Sequence, residues 1–107
     1  MPIYNKLVRD KIPQIIEASG KQFTTKILSD EAYKKEARKK LQEELDEYND
    51  AKSDEDALEE LADILELIHA LAKVHGTTID EIEQIRAEKA EKRGGFEDKI
   101  FLLEVED

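Results

Sequence analysis

The residues of this chain best placed to do chemistry are four acids that fall on otherwise apolar helix faces. At 100° per residue, the segment over residues 33–51 gathers Tyr33, Ala37, Leu41, Leu45, Tyr48 and Ala51 on one side, and Glu44 lies midway among them. Glu47 follows three residues later at the edge of the same face, while Glu43 and Asp46 point toward solvent. The next segment repeats the arrangement. Ala57, Leu61, Ile64, Leu65, Ile68 and Leu71 form an apolar arc with Glu60 inside it and Asp63 on its flank, and Glu59, Glu66 and Lys73 take the solvated side. An ionised carboxylate in apolar surroundings costs several kcal/mol unless it is paired, and four close together repel one another. A divalent cation removes both costs. An all-oxygen ligand set without His or Cys suits a hard ion, so Mg²⁺ is favoured, with Mn²⁺ as the natural substitute. The plain alternative is that these are solvated surface acids in a chain that holds 27 Asp and Glu. Two inward-facing i, i+3 pairs on adjacent helices argue against it.

A complementary set of cations lies elsewhere in the chain. The final helical segment begins its inner face with Ile79, Ile82 and Ile85, and the same face then carries Arg86, Lys89 and Arg93. At spacings of three and four these side chains can follow a run of phosphates, Arg through a two-pronged contact and Lys as a point charge. Bases in a last turn also complement the helix dipole, which by itself accounts for Lys92 and in part for Lys89. Near the start, Lys6, Arg9 and Lys11 form a second basic group, from which Arg9 and Lys6 are the candidates for substrate contact. His69 and His75 are read as structural. The first points to a polar flank and the second sits at a helix C-terminus. No Ser-His-Asp or Cys-based nucleophile can be assembled, and no P-loop sequence is present.

Helices must position these groups, and the sequence marks where they begin and end. A first short helix is expected from about Asp10 to Ser19, with Pro13 in its first turn and Gly20 ending it. Residues 22–28, rich in β-branched and aromatic side chains, read as a short strand. Ser29 or Asp30 can cap a long helix through about Lys52; Ser53 with Asp56 can cap the next, through about His75, where Gly76 stops it. Thr78 with Glu81 predicts a capping box for a last helix ending at Gly94-Gly95, and residues 99–103 read as a second short strand. The expected fold is mainly α: an antiparallel helical bundle with two short β-strands. The short connection around Asp50 to Ser53 would bring the four inward acids together.

Composition narrows the rest. A chain of 107 residues is one domain, residues 1–107, and so small a body leaves apolar helix surface uncovered, so a homo-oligomer is expected to complete it. There are no cysteines, and neither a signal peptide nor a membrane-spanning run is legible, so a soluble, cytoplasmic protein is expected, with no membrane partner. The net charge of −10 opposes nucleic-acid binding while leaving room for a local anion site.

The run Glu44-Leu45-Asp46-Glu47 followed after twelve residues by Glu60-Leu61-Ala62-Asp63 resembles the ExxE…ExxD signature of the MazG-like all-α nucleoside triphosphate pyrophosphohydrolases. The flanks extend the likeness. Lys40-Leu41-Gln42-Glu43-Glu44 and Glu60 to Leu65 are similar to that superfamily's two core helices. The opening run from Tyr4 to Pro13 and the closing Lys89 with Arg93 to Phe96 are similar to a single-domain branch described as phosphoribosyl-ATP pyrophosphohydrolase-like. The resemblance implies that Glu44, Glu47, Glu60 and Asp63 hold Mg²⁺, and that a dimer or dimer of dimers forms a four-helix bundle. It also implies cleavage of a nucleotide between its α- and β-phosphates.

The functional expectation is therefore Mg²⁺-dependent release of pyrophosphate from a nucleoside triphosphate or a related nucleotide, in the manner of a house-cleaning enzyme. Glu47 is the expected general base, and Lys89 and Arg93 the groups that stabilise the leaving pyrophosphate. The rival from another class is a non-enzymatic helical oligomerisation module, which should avoid acids inside its apolar faces. A di-iron carboxylate bundle ranks last, because its Glu66 and His69 pair points outward.

Overall fold

The computed structural model describes residues 2–107 as four helices joined by short turns and flanked by irregular chain. Helix α1 spans Ile12–Ala18, α2 Asp30–Asn49, α3 Asp54–Val74 and α4 Ile79–Arg93. The two long helices start where the sequence predicts. The Ser29 side chain accepts from the Ala32 backbone N–H at 3.2 Å, and the Ser53 side chain accepts from the Asp56 N–H at 3.1 Å, each satisfying one of the amides a first turn leaves unpaired. At the far end of α3, Gly76 takes φ +80°, its N–H donates to Lys73 O, and the Thr77 N–H reaches back to Ala72 O. This is a Schellman termination, and its left-handed residue explains the glycine.

The start of α4 is built differently from the expectation. Thr78 is the N-cap but its side chain makes no capping hydrogen bond; the Thr77 hydroxyl instead engages the Glu81 carboxylate. The Glu81 N–H goes to the Thr78 backbone carbonyl at 3.2 Å and its carboxylate to Thr77, so neither half of the box forms. The two expected strands are also absent among the described residues: 22–28 and 99–103 carry no ladder. A strand persists only where another pairs with it, and here neither segment meets one.

Helices α2 and α3 pack along one another as a hairpin, closed by residues 50–53, while α4 meets α3 and not α2. Ala37 on α2 and Ala72 on α3 are the buried hydrophobic residues among those described. The rest of each apolar face is only partly covered. Of the residues expected inside, Leu45 and Tyr48 are exposed on α2, and on α3 Leu61 and Leu65 are 44% and 52% exposed; Leu58, outside the expected arc, is 66% exposed. One hairpin buries one strip of each helix, and these faces are wider than a strip. The radius of gyration is 18.3 Å, well above the ~13 Å of a compact domain of this length. No helix among the described residues is long and apolar enough to cross a membrane.

Candidate active site

The acids singled out by the helical pattern lie on the paired helices, Glu44 and Glu47 on α2 and Glu60 and Asp63 on α3. Glu44, Glu47 and Glu60 each bring one carboxylate oxygen to within 4.8 Å of the others. Glu44 is only 6% exposed, the one buried charged residue among those described. Asp63 is not in this 4.8 Å set, although its charge acts on both Glu44 and Glu60; its Oδ1 accepts from the Arg9 guanidinium Nη2 at 2.6 Å. His69 and His75 do not join the group.

Burial and crowding set the proton affinities. The Glu44 carboxyl is pushed up from 4.5 to about 7, first by burial, then by hydrogen bonding to Glu60, and then by the charges of Glu47 and Asp63. For Glu60, hydrogen bonding to Glu44 pulls downward, but burial and the adjacent Glu47 and Asp63 outweigh it and the net shift is upward. One oxygen of each, Glu44 Oε2 and Glu60 Oε2, is buried without a hydrogen-bond partner. Unpartnered buried oxygens in a group of three close carboxylates are the arrangement a hard divalent cation would relieve, so the donor set fits such an ion.

The cations fall into two groups. Lys40 was not predicted as a site residue, yet its Nζ lies 3.7 Å from Glu44 Oε1 and 3.8 Å from Glu43 Oε1. The signal was present in the sequence, as a lysine four residues before an inward glutamate shares its side of the helix. Arg9 reaches the acids through Asp63, whereas Lys6 sits 5.7 Å from the centroid of the Tyr4 ring. On α4, Arg86 is engaged by Glu83 of its own helix, with Nε 2.9 Å from both carboxylate oxygens and Nη2 2.6 Å from Oε1. That pairing lowers the proton affinity of Glu83 and raises that of Arg86. Lys89 and Arg93 are exposed, and no ion pair among the described residues joins them to the acid group.

A comparison with protein families then decides the class. The family model described as phosphoribosyl-ATP pyrophosphohydrolase matches residues 5–90. The chain belongs to that family. The match takes in α1, α2 and α3 entire, all four acids, Arg9 and Lys40. No curated protein and no solved structure matches. As a member of the phosphoribosyl-ATP pyrophosphohydrolase family the chain is a pyrophosphohydrolase acting on a nucleotide-like substrate, which sets aside the non-enzymatic module. Arg93 and the residues after it lie beyond the match, and Lys89 falls just inside its end.

Proposed function

We propose that this protein hydrolyses a nucleoside triphosphate, or a closely related nucleotide, between its α- and β-phosphates in the presence of Mg²⁺, giving the monophosphate and pyrophosphate. The observation that carries this reading is the group of Glu44, Glu47 and Glu60, with two of its buried oxygens lacking any partner, in a chain of pyrophosphohydrolase family. Glu44, Glu47, Glu60 and Asp63 would hold the ion, which when bound neutralises phosphate charge and lowers the proton affinity of bound water. Mn²⁺ offers the same oxygen preference and would serve in its place.

The chain's own residues supply the rest. Water attacks the α-phosphorus in line, the bond to the bridging oxygen breaks, and its electron pair departs with pyrophosphate. Glu47, exposed in the structure, would accept the proton that water loses. Arg9 and Lys6, on the N-terminal segment, and Arg86, Lys89 and Arg93 on α4 are the side chains proposed to bind the phosphate run, with Lys89 and Arg93 offsetting charge on the leaving group.

The whole chain would act as one cytoplasmic domain, without nucleic-acid or membrane partners. It would work as a homodimer or dimer of dimers, in which a second copy covers the exposed Leu58, Leu61 and Leu65. Hydrolysis in ¹⁸O-labelled water tests the bond assignment: label in the monophosphate supports attack at the α-phosphorus, and label confined to pyrophosphate overturns it.

A further inference from the structure

Of the four acids that share the inward pattern, Asp63 alone is withheld. The other three already place oxygens within 4.8 Å of one another. Asp63, one helical turn beyond Glu60 on the same side of α3, is held by a guanidinium that comes from 54 residues earlier in the chain. Among the described residues no other hydrogen bond or ion pair joins the segment 2–11 to α3, and that segment is exposed except at the half-buried Leu7.

We propose that Arg9 is a latch responsive to the cation: in the metal-free protein it neutralises Asp63, keeps that carboxylate out of the acid group and docks the N-terminal segment on α3, and binding of a divalent cation releases it. This rests on the cation reading given above. The physical case is one of competition. A guanidinium and a doubly charged ion seek the same carboxylate and repel one another at short range. Arg9 is 58% exposed, and an ion pair so open to water holds weakly enough for a divalent charge to displace it. Once free, the guanidinium presents a rigid fork of donors suited to phosphate oxygens, so the same side chain that pairs with Asp63 becomes available to substrate. Lys40 plays no such part. It lies on α2 itself, four residues from Glu44, so its position does not depend on whether the N-terminal segment is docked.

Two measurements on the full chain test the latch, Mg²⁺ titration by calorimetry and limited trypsin digestion, each applied to the wild type, Arg9→Ala and Asp63→Asn. Arg9→Ala should bind Mg²⁺ about two- to fivefold more tightly, the scale set by an exposed ion pair. Mg²⁺ should speed cleavage after Lys6, Arg9 and Lys11 in the wild type. In Asp63→Asn those sites should be cut quickly from the outset, with no further acceleration on adding Mg²⁺. If Mg²⁺ binds the wild type but Arg9→Ala shows equal or weaker affinity, or if Mg²⁺ leaves the digestion rate unchanged, the latch is wrong and the cation site stands. Absence of Mg²⁺ binding in all three proteins removes the cation reading and the latch together.

Discussion

Arg9 Nη2 and Asp63 Oδ1 stand 2.6 Å apart, a contact that joins the irregular N-terminal segment to the middle of α3. Both partners are partly open to solvent, so the pair contributes little to folding. Arg9→Ala should therefore shift the urea-unfolding free energy by less than about 1 kcal/mol. Its effect on turnover should be larger, a loss of about tenfold or more, because a phosphate contact through a guanidinium is charge-assisted and two-pronged. A loss of stability without a loss of turnover would make the residue structural.

Glu44 sets a pH dependence whose sign follows from its raised proton affinity. Its folded value of about 7 lies above the ordinary 4.5, so between those values the native state holds more protons than the unfolded state. The stability associated with this group is complete below about pH 4.5 and is lost as pH rises through 7. Metal-free protein should therefore be less stable at pH 8 than at pH 5.5, by about 2 kcal/mol from this group. Denaturant melts at the two pH values check this, and added Mg²⁺ should narrow the gap because it binds the ionised form.

Replacing the buried carboxylate should separate stability from function. Glu44→Gln removes the charge and keeps the shape, so the metal-free protein should unfold at higher urea, by roughly 1–3 kcal/mol. The same variant should bind Mg²⁺ poorly and release little pyrophosphate. A variant that is less stable than wild type without metal would show that the buried charge is already satisfied.

The exposed leucines of α3 make a prediction about assembly. Leu58 and Leu65 are each more than half exposed in the single chain, and a charge at either should oppose burial against a second copy. Leu65→Asp should move the protein toward the monomer in light scattering at micromolar concentration while the helical circular dichroism of the remaining protein persists. An unchanged mass would place the interface elsewhere.

Much of this architecture is legible in the sequence because it is local. Ser29, Ser53 and Gly76 mark helix ends through short-range hydrogen bonds and backbone freedom, and each sits where it was expected. The inward placement of Glu44 and Glu60 follows from helical periodicity alone, and the hairpin then brings them together with Glu47. What depends on pairing across distance was not legible. Strand character at 22–28 and 99–103 could be read, but not whether either would find a partner. The competition of Thr77 for Glu81 turns on rotamers that spacing does not fix. Nor does periodicity say which strip of a wide apolar face a single neighbour will cover, so Leu61 and Leu65 were expected inside and lie half exposed.

The central claim is that the acid group runs a cation-dependent pyrophosphate release. The most direct test follows pyrophosphate release from a panel of nucleoside triphosphates, deoxynucleoside triphosphates and phosphoribosyl-ATP, with and without Mg²⁺, for the wild type and Glu60→Gln. Release should require Mg²⁺ and fall at least about a hundredfold in the variant, with the best panel member naming the substrate. Pyrophosphate release by the wild type that persists without a divalent cation, or that Glu60→Gln retains in full, would contradict it.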